Sequence, residues 1–160
     1  MTQNNTSAVK FDADLLKKYD TFGPRYTSYP TAVQFTSKFT EDDYRKELEQ
    51  SNRDASPLSL YFHIPYCESL CFYCACNKII THTHDRAIPY LERLHKEIAM
   101  QGELVDGLRQ VNQLHFGGGS PTFLSDEQLN QLMQVTGQYF ELAPRHEREF
   151  SIEVDPRAVR

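Results

Sequence analysis

The sequence has no hydrophobic run long enough to cross a membrane and no recognisable signal peptide. We therefore expect a cytoplasmic protein whose cysteines stay reduced rather than pairing in disulfides. Positive charge is not in excess, since 17 Lys and Arg stand against 22 Asp and Glu, and the net charge of −5 argues against nucleic-acid binding. Internal repeats and low-complexity blocks are also missing. Hydrophobic (39%) and charged (24%) contents are close to globular averages, which predicts an ordinary folded domain.

All four cysteines lie within ten residues of one another. An apolar, β-prone run over 58–64 precedes them and ends at a proline, so the cysteines begin where a strand would pass into a loop. Cys67, Cys71 and Cys74 have the spacing C-x3-C-x2-C, and Cys76 follows two residues later. A compact loop with three thiolates at unequal steps can hold three corners of a cuboidal iron–sulfur cluster.

Two other interpretations of the cysteines stay open. A structural zinc site pairs two close ligands with two more about a dozen residues away. No second Cys/His pair has that spacing here, and the candidates His82 and His84 lie in a polar loop of ordinary composition. Plain or redox-active cysteines are the second alternative. Spacing alone also leaves open whether Cys76 is a ligand.

The region after residue 57 alternates strand patterns with amphipathic helix patterns. The predicted strands cover 58–64, 111–116 and 150–154. Between the first two strands a helix is predicted over 87–100, with Ile88, Leu91, Leu94 and Ile98 on its apolar face. Between the second and third strands a helix is predicted to begin at the capping box Ser125 and Gln128, with apolar positions at Leu129, Leu132, Met133 and Phe140. This order indicates a parallel sheet, in which ligands bind at the C-terminal ends of the strands. The cysteines, the glycines 117–119 and Glu153 each fall at such an end, which predicts one shared site.

The first 57 residues are less regular. Residues 1–10 are polar and expected to be disordered, Asp12 can cap a short helix, and Thr40 with Asp43 begins a charged helix to about residue 50. The run RYTSY at 25–29 lies between Gly-Pro and Tyr-Pro pairs, so it is an extended arm or a surface connector.

Four segments, taken together, resemble a known family. They are YFHIPYCESLCFYCACNK at 61–78, PRYTSYPTA at 24–32, QLHFGGGSPTFL at 113–124 and SIEVDPR at 151–157. The cysteine segment resembles the signature of the radical S-adenosylmethionine (SAM) superfamily. The four segments, in this order and spacing, resemble its oxygen-independent coproporphyrinogen III oxidases (dehydrogenases) of haem biosynthesis, from about residue 19 to the last residue.

The resemblance implies a fold and a set of site residues. The fold is α/β, the N-terminal part of a partial (β/α)6 radical SAM barrel with an extended N-terminal arm: residues 1–57 form the arm and short helices, and 58–160 the first three βα units, without the rest of the barrel or the C-terminal domain. The resemblance implies a 4Fe–4S cluster with the ligands Cys67, Cys71 and Cys74, whereas Cys76 matches a family cysteine that is not a ligand. It implies SAM contacts at Tyr61, Gly118 and Glu153, and a second SAM molecule near Tyr73, Gly119 and Ser120. It also implies that Arg25 is a partner of a substrate carboxylate. His63 and His115, within strand-like runs, are interpreted as structural.

The resemblance also implies a reaction. One-electron cleavage of SAM yields a radical that starts the oxidative decarboxylation of two propionates of coproporphyrinogen III to vinyl groups, giving protoporphyrinogen IX. The implied partners are this substrate and an electron donor such as a flavodoxin or ferredoxin system, and the full-length enzyme is expected to be a monomer. The 160 residues alone are expected to be inactive. The rival hypotheses are a haem-binding radical SAM relative without oxidase activity and a non-catalytic iron–sulfur or zinc module.

Overall fold

The structure, a computed structural model, describes residues 11–21, 31–107 and 109–157. Two compact units divide the chain, one over Met1–Phe39 and the other over Thr40–Arg160. The helix after Thr40 is therefore grouped with the sheet, and a functional division at residue 57 stays a prediction. Arg25 and the RYTSY run lie outside the described residues, so their roles also stay predictions.

The first unit contains helix α1 (Ala13–Tyr19) and a short 3-10 helix over Ala32–Gln34. Asp12 caps α1, because its Oδ1 accepts hydrogen bonds from the backbone N–H groups of Asp14 and Leu15 at 3.0 and 2.9 Å. The predicted cap at Asp12 is confirmed.

Helix α2 (Glu41–Asp54) opens the second unit. Its capping box is the predicted one: Asp43 N–H donates to Thr40 Oγ1 at 3.3 Å, and Thr40 N–H donates to Asp43 Oδ2 at 2.9 Å. Hydrogen bonds from Thr40 hold the pKa of Asp43 below its usual value. The helix ends at Asp54, four residues beyond the predicted end at Gln50, where Ala55 takes a left-handed conformation (φ 52°).

The rest of the second unit alternates strands and helices in the predicted order. Its elements are β1 (Leu58–Ile64), β2 (Tyr66–Cys67), β3 (Ile79–Ile80), α3 (Ala87–Gly102), β4 (Gln110–Gly118), α4 (Asp126–Tyr139), β5 (Glu141–Leu142) and β6 (Glu149–Ile152), with short 3-10 helices over His84–Arg86 and Pro121–Phe123. The capping box of Ser125 and Gln128 at the start of α4 is confirmed.

Strand β4 is the centre of a parallel sheet. It pairs with β1 from Leu58↔Val111 to Ile64↔Gly118, and its other edge pairs first with β5 and then with β6. Every pairing is parallel, because α3 before β4 and α4 after it return the chain to the same end of the sheet, and β5 and β6 then follow one edge of β4 in the same direction. The predicted parallel sheet is therefore confirmed.

The core lies between one face of the sheet and the helices. Side chains from β1 and β4 alternate, so that one face is buried and the other carries polar groups. The buried apolar residues that form the core cluster are Phe62, Ile64, Tyr66, Ala87, Leu91, Leu94, Ile98, Val111, Leu114, Phe116, Phe123, Leu124, Leu132 and Phe140. Ile88 was predicted on the apolar face of α3, and this is wrong. The buried stripe follows Ala87, Leu91, Leu94 and Ile98, which leaves Ile88 one position outside it and 47% exposed.

The C-terminal ends of two strands differ from the prediction by two residues, and both strands begin one residue earlier than predicted. Strand β4 continues to Gly118 rather than ending at Phe116, because the first two glycines still pair with His63 and Ile64. Strand β6 ends at Ile152, so that Glu153 lies one residue beyond it instead of inside it. The Glu153 N–H still donates to the carbonyl of Phe116 at 2.9 Å, which keeps this residue against the end of β4.

A buried arginine, Arg109, links the C-terminal end of α2 to the segments before β1 and β4. Arg109 is 5% exposed and donates to Ser56 O at 2.8 Å and to Asn52 Oδ1 at 3.1 Å. Asn52 also donates from Nδ2 to Leu104 O at 2.9 Å. These bonds join α2, the segment before β1 and the turn before β4.

Among the helices in the described ranges, none combines the length and apolar composition needed to cross a bilayer.

Candidate functional site

The cysteine loop is closed at its base by a small parallel sheet. Strands β2 and β3 pair Tyr66 with Ile79 and Cys67 with Ile80. The Ile79 N–H donates to Pro65 O at 2.6 Å, and the Thr81 N–H donates to Cys67 O at 2.9 Å. Residues 68–78 therefore form a closed loop that begins where β2 ends; Cys67 is the last residue of β2, and the other three cysteines lie inside the loop.

The four cysteines differ in their surroundings. Cys67, Cys71 and Cys74 are partly buried and Cys76 is exposed, and all four are free thiols. Burial raises the pKa of the Cys67 thiol, and the sulfurs of Cys74 and Cys71 add to the shift. Three partly buried, free thiols on one segment are a donor set that a bound cation or cluster would stabilise as thiolates. Exposure thus separates Cys76 from the three predicted ligands.

A cavity of about 570 Å³ lies inside the cysteine loop, against the ends of β4 and β6. Its lining brings together most of the residues that the sequence singled out: Cys67, Cys71, Tyr73, Cys74, Cys76, Gly118, Gly119, Ser120 and Glu153. Asp155 and Arg157 also line it. Tyr61 does not line the cavity; it lies on β1 with its ring over the polar face of the sheet. The structure therefore unites residues from three separate sequence segments in one place.

Gly119 and Ser120, directly after β4, are fixed by the backbone at the end of β1 and the start of β2. Gly119 N–H donates to Ile64 O at 2.7 Å, and Ser120 N–H donates to Tyr66 O at 2.8 Å. A Cβ at Gly119 would lie 2.7 Å from Tyr66 O and 2.8 Å from Ile64 O, closer than atoms can approach. Only glycine therefore allows the two loops to meet at this point.

Gly118 is required for a different reason. Its φ of +104° is a conformation that side chains disfavour, and a Cβ there would lie 2.7 Å from the His63 ring. Its N–H donates to Glu153 Oε2 at 3.2 Å. The N–H groups of Gly118, Gly119 and Ser120 are thus all bonded within the chain, which leaves carbonyl oxygens, the Ser120 hydroxyl and the space above the glycines for a ligand.

Polar side chains cover the face of the sheet opposite the core. Tyr61 OH lies 3.1 Å from His63 Nδ1, and His63 Nε2 lies 2.8 Å from Asn77 O in the cysteine loop. Burial, and then the charge of Glu153, raise the pKa of Tyr61. His63 thus bonds through both ring nitrogens, in agreement with its interpretation as structural, and it connects β1 to the far end of the cysteine loop.

His84 was a candidate zinc ligand, but its ring nitrogens have other partners. Nδ1 lies 2.9 Å from Phe123 O and Nε2 lies 3.0 Å from Glu68 Oε1, with the ring stacked on Phe123. Within the described ranges, no three His, Cys, Asp or Glu side chains are placed to hold one metal ion. A cuboidal cluster does not require its ligands to converge on a single ion, because each thiolate binds a different iron.

Arg157 is a site residue that the sequence reasoning did not single out. Its guanidinium donates to both carboxylate oxygens of Asp155, at 2.9 and 2.7 Å, and lowers the Asp155 pKa to about 2. Its Nη2 also lies 3.8 Å from Cys71 Sγ. The position of Asp-Pro-Arg directly after a strand that ends at the site was the available signal.

Comparisons with known proteins agree with this arrangement. A protein of Pseudomonas aeruginosa named oxygen-independent coproporphyrinogen III oxidase is 48% identical over 149 residues, 93% of this chain and 32% of that protein. One of Mannheimia haemolytica with the same name is 41% identical over 150 residues, 94% of this chain and 99% of that sequence. A solved structure described as the Escherichia coli coproporphyrinogen III oxidase HemN, a radical SAM enzyme, has a TM-score of 0.76 and 39% identity, covering 95% of this chain and 32% of that one. No protein-family model matches the chain.

A parallel α/β sheet that carries a three-cysteine loop at its C-terminal edge, superposable on HemN, defines part of a radical SAM enzyme fold. The expected fold class is thereby confirmed. The chain belongs to the family of oxygen-independent coproporphyrinogen III oxidases. It spans about a third of the length of the relatives from Pseudomonas aeruginosa and Escherichia coli.

Proposed function

We propose that this chain carries the cluster-binding and part of the SAM-binding machinery of an oxygen-independent coproporphyrinogen III oxidase. The observation that carries the proposal is the convergence of the cysteine loop, the glycines at the C-terminal end of β4 and Glu153 on one cavity. These segments are far apart in the sequence. Their meeting at the C-terminal ends of parallel strands is the arrangement in which α/β proteins bind ligands.

The residues fit a 4Fe–4S cluster held by Cys67, Cys71 and Cys74. The three thiols are free and partly buried, with Cys67 at the end of β2 and Cys71 and Cys74 inside the closed loop that follows it. Arg157 lies close enough to Cys71 to compensate the negative charge of bound thiolates. Three ligands leave one iron of such a cluster available for a ligand other than protein. With SAM bound, the cluster would supply the one-electron cleavage of the sulfonium that generates the reactive radical.

The chain's own residues would position SAM against that cluster. Tyr61, Gly118 and Glu153 are proposed contacts of one SAM molecule, with Glu153 accepting hydrogen bonds from the ligand's ammonium or hydroxyl groups. For a second SAM molecule, the proposed contacts are Tyr73, Gly119 and Ser120, all of which line the cavity. Because Gly119 has no free N–H, its proposed role is to leave space rather than to donate.

The substrate and partners of the complete enzyme follow from the family. We propose coproporphyrinogen III as substrate, with conversion of two propionates to vinyl groups, and a flavodoxin or ferredoxin system as electron donor. Arg25 is the proposed partner of a substrate carboxylate, because a guanidinium binds carboxylates in a bidentate manner. A cytoplasmic, monomeric full-length enzyme completes the proposal.

Metal and sulfide analysis tests the cluster. After anaerobic reconstitution we expect about four irons and four sulfides per chain, the composition of a 4Fe–4S cluster. A stoichiometric zinc content without iron uptake would contradict the proposal and return the site to a structural zinc module. A chain that assembles the cluster but fails to bind SAM would instead be a non-catalytic iron–sulfur module.

We further expect that the 160-residue chain alone does not complete turnover. Within the described residues, β1 and β6 each pair on one side only, with β4. The sheet therefore encloses the site on one side only. A tetrapyrrole needs a cavity closed around it if water is to be excluded. Vinyl formation should be assayed anaerobically with SAM, a reductant and coproporphyrinogen III, in this chain and in one extended to the length of its relatives. Robust product from the shorter chain would show that the further strands are dispensable.

A further inference from the structure

His115 lies at the centre of a row of side chains on the polar face of the sheet. The register places Tyr61 of β1 beside His115 of β4, and His115 beside Ser151 of β6. Glu153 follows Ser151 by two residues, so it extends the same row towards the cavity. His115 is therefore the one residue of the row that touches Tyr61, Ser151 and Glu153.

The contacts of the His115 ring occupy its face and both nitrogens. The ring stacks on Tyr61 with centroids 5.8 Å apart and an interplanar angle of 16°. Nδ1 lies 2.7 Å from Ser151 Oγ, and Nε2 lies 3.5 Å from Glu153 Oε1. A neutral ring protonated at Nε2 satisfies both contacts, since the serine hydroxyl can donate to Nδ1 while Nε2–H points at the carboxylate.

Two donors then hold the two oxygens of the Glu153 carboxylate. Oε1 faces the His115 ring and Oε2 accepts the N–H of Gly118. Glu153 lies beyond the end of its strand, where the sheet alone does not fix a side chain. The imidazole supplies one of the two restraints on this carboxylate.

Gly117 provides a second, independent observation. A Cβ at this position would lie 3.0 Å from His115 Nε2 and 3.0 Å from Tyr61 Cε2. Gly117 has no unusual φ in this structure, and its neighbours at this distance are the two stacked rings. The missing side chain therefore leaves room for the rings to lie across the strand.

We propose that His115 is a positioning residue that orients the Glu153 carboxylate for SAM. This inference rests on the proposed function, because Glu153 acts as a SAM contact only within it. A carboxylate that is already oriented towards the ligand loses less side-chain freedom when the ligand binds. Removing the His115 ring should therefore weaken SAM binding without changing the iron and sulfide content of the cluster. It also gives His115 a role beyond filling the sheet.

The test measures SAM affinity and cluster content separately on the anaerobically reconstituted chain. For His115→Leu we expect unchanged iron and sulfide but about tenfold weaker SAM binding, the effect of losing one charge-assisted hydrogen bond. His115→Gln, which can place an amide N–H near the position of Nε2, should restore most of the affinity. His146→Leu is the matched control. The exposed His146 also pairs with a glutamate, since its Nε2 lies 3.1 Å from Glu147 Oε1, but neither residue lines the cavity.

A double-mutant cycle separates positioning from a general structural effect. In the Glu153→Gln background we expect His115→Leu to change SAM affinity by less than about twofold, because the carboxylate it orients is gone. An equal loss in both backgrounds, or unchanged affinity in the His115→Leu variant, would overturn the inference while leaving the proposed function intact.

A measurement without SAM distinguishes the two failures. The 15N resonances of the His115 ring should show the tautomer protonated at Nε2, and Glu153→Gln should shift the Nε2 resonance. A cluster-loaded parent chain that binds no SAM would contradict the proposed function. An Nε2 resonance indifferent to Glu153→Gln would overturn the inference whatever the SAM result.

Discussion

Replacing Cys67, Cys71 or Cys74 by alanine is expected to abolish assembly of the iron–sulfur cluster. Each thiolate would hold one corner, and the loop of residues 68–78 offers no spare ligand in the same environment. With two thiolates, two irons would lack protein ligands and the cluster would be lost to solvent or chelators. Iron and sulfide per chain after anaerobic reconstitution should therefore fall to background in all three variants.

Cys76→Ala is the matched control for these variants. Cys76 lies on the same loop and lines the same cavity, but it is exposed where the other three are partly buried. We expect this variant to retain most of its iron and sulfide. Loss of the cluster from Cys76→Ala together with its retention in any of the other three would reassign the ligands.

A second outcome of the same series would change the chemistry of the site. If all four single variants still bound one zinc ion in place of a cluster, the loop would be a metal site with interchangeable thiolates. His84 could not complete it as placed, because both ring nitrogens already have partners in Glu68 and Phe123. The cluster proposal would then fail on composition.

The sequence predicted those elements whose signals are local. Strand β1 has the predicted bounds, Leu58–Ile64, because an apolar run that ends at a proline leaves little choice. The caps at Asp12, Thr40 and Ser125 were also identified, since each needs only residues within one helical turn.

Features that depend on distant residues were not predictable. Strands β2 and β3 have two residues each, too few for any period, and they form because Cys67 and Ile80 meet in three dimensions. The contacts of Arg109 with Asn52 join residues 57 positions apart. Hydrophobic periodicity carries no information on which polar side chains will meet in this way.

The site shows the same division. Cysteine spacing located the loop, and the glycine run after a strand indicated a close approach of the backbone. The sequence did not indicate which group approaches the glycines. At Gly119 it is the backbone of Ile64 and Tyr66 and not a ligand. His115 was interpreted as structural because it lies within a strand-like run; its partners, Ser151 and Glu153, come more than 30 residues later in the sequence.

Gly119→Ala is expected to destabilise the second unit by about 2–3 kcal/mol, the cost of forcing an extra carbon into a packed site. The new Cβ would meet the carbonyl oxygens of Tyr66 and Ile64 and the carbonyl carbon of Pro65 at 2.7 to 2.9 Å. These are backbone atoms, which cannot rotate away as a side chain can. Urea unfolding followed by circular dichroism measures the change in the free energy of unfolding.

Gly137→Ala is the matched control, because a Cβ there meets no atom within 4 Å and the residue lies within α4. Alanine favours the helix, so this variant should be more stable than the parent by about 0.5–1 kcal/mol. The same substitution thus has opposite signs at two glycines, and the sign depends only on what surrounds the new carbon.

The loss at Gly119 should reach the cysteines as well. Relief of the overlap requires the glycine loop to move away from residues 64–66, which breaks the bonds from Gly119 N–H to Ile64 O and from Ser120 N–H to Tyr66 O. Because those bonds hold the start of the cysteine loop, we expect Gly119→Ala to retain less iron and sulfide than Gly137→Ala after identical reconstitution. A Gly119→Ala chain as stable and as iron-rich as its control would show that the two loops are not in backbone contact, and that this glycine leaves space for ligand alone.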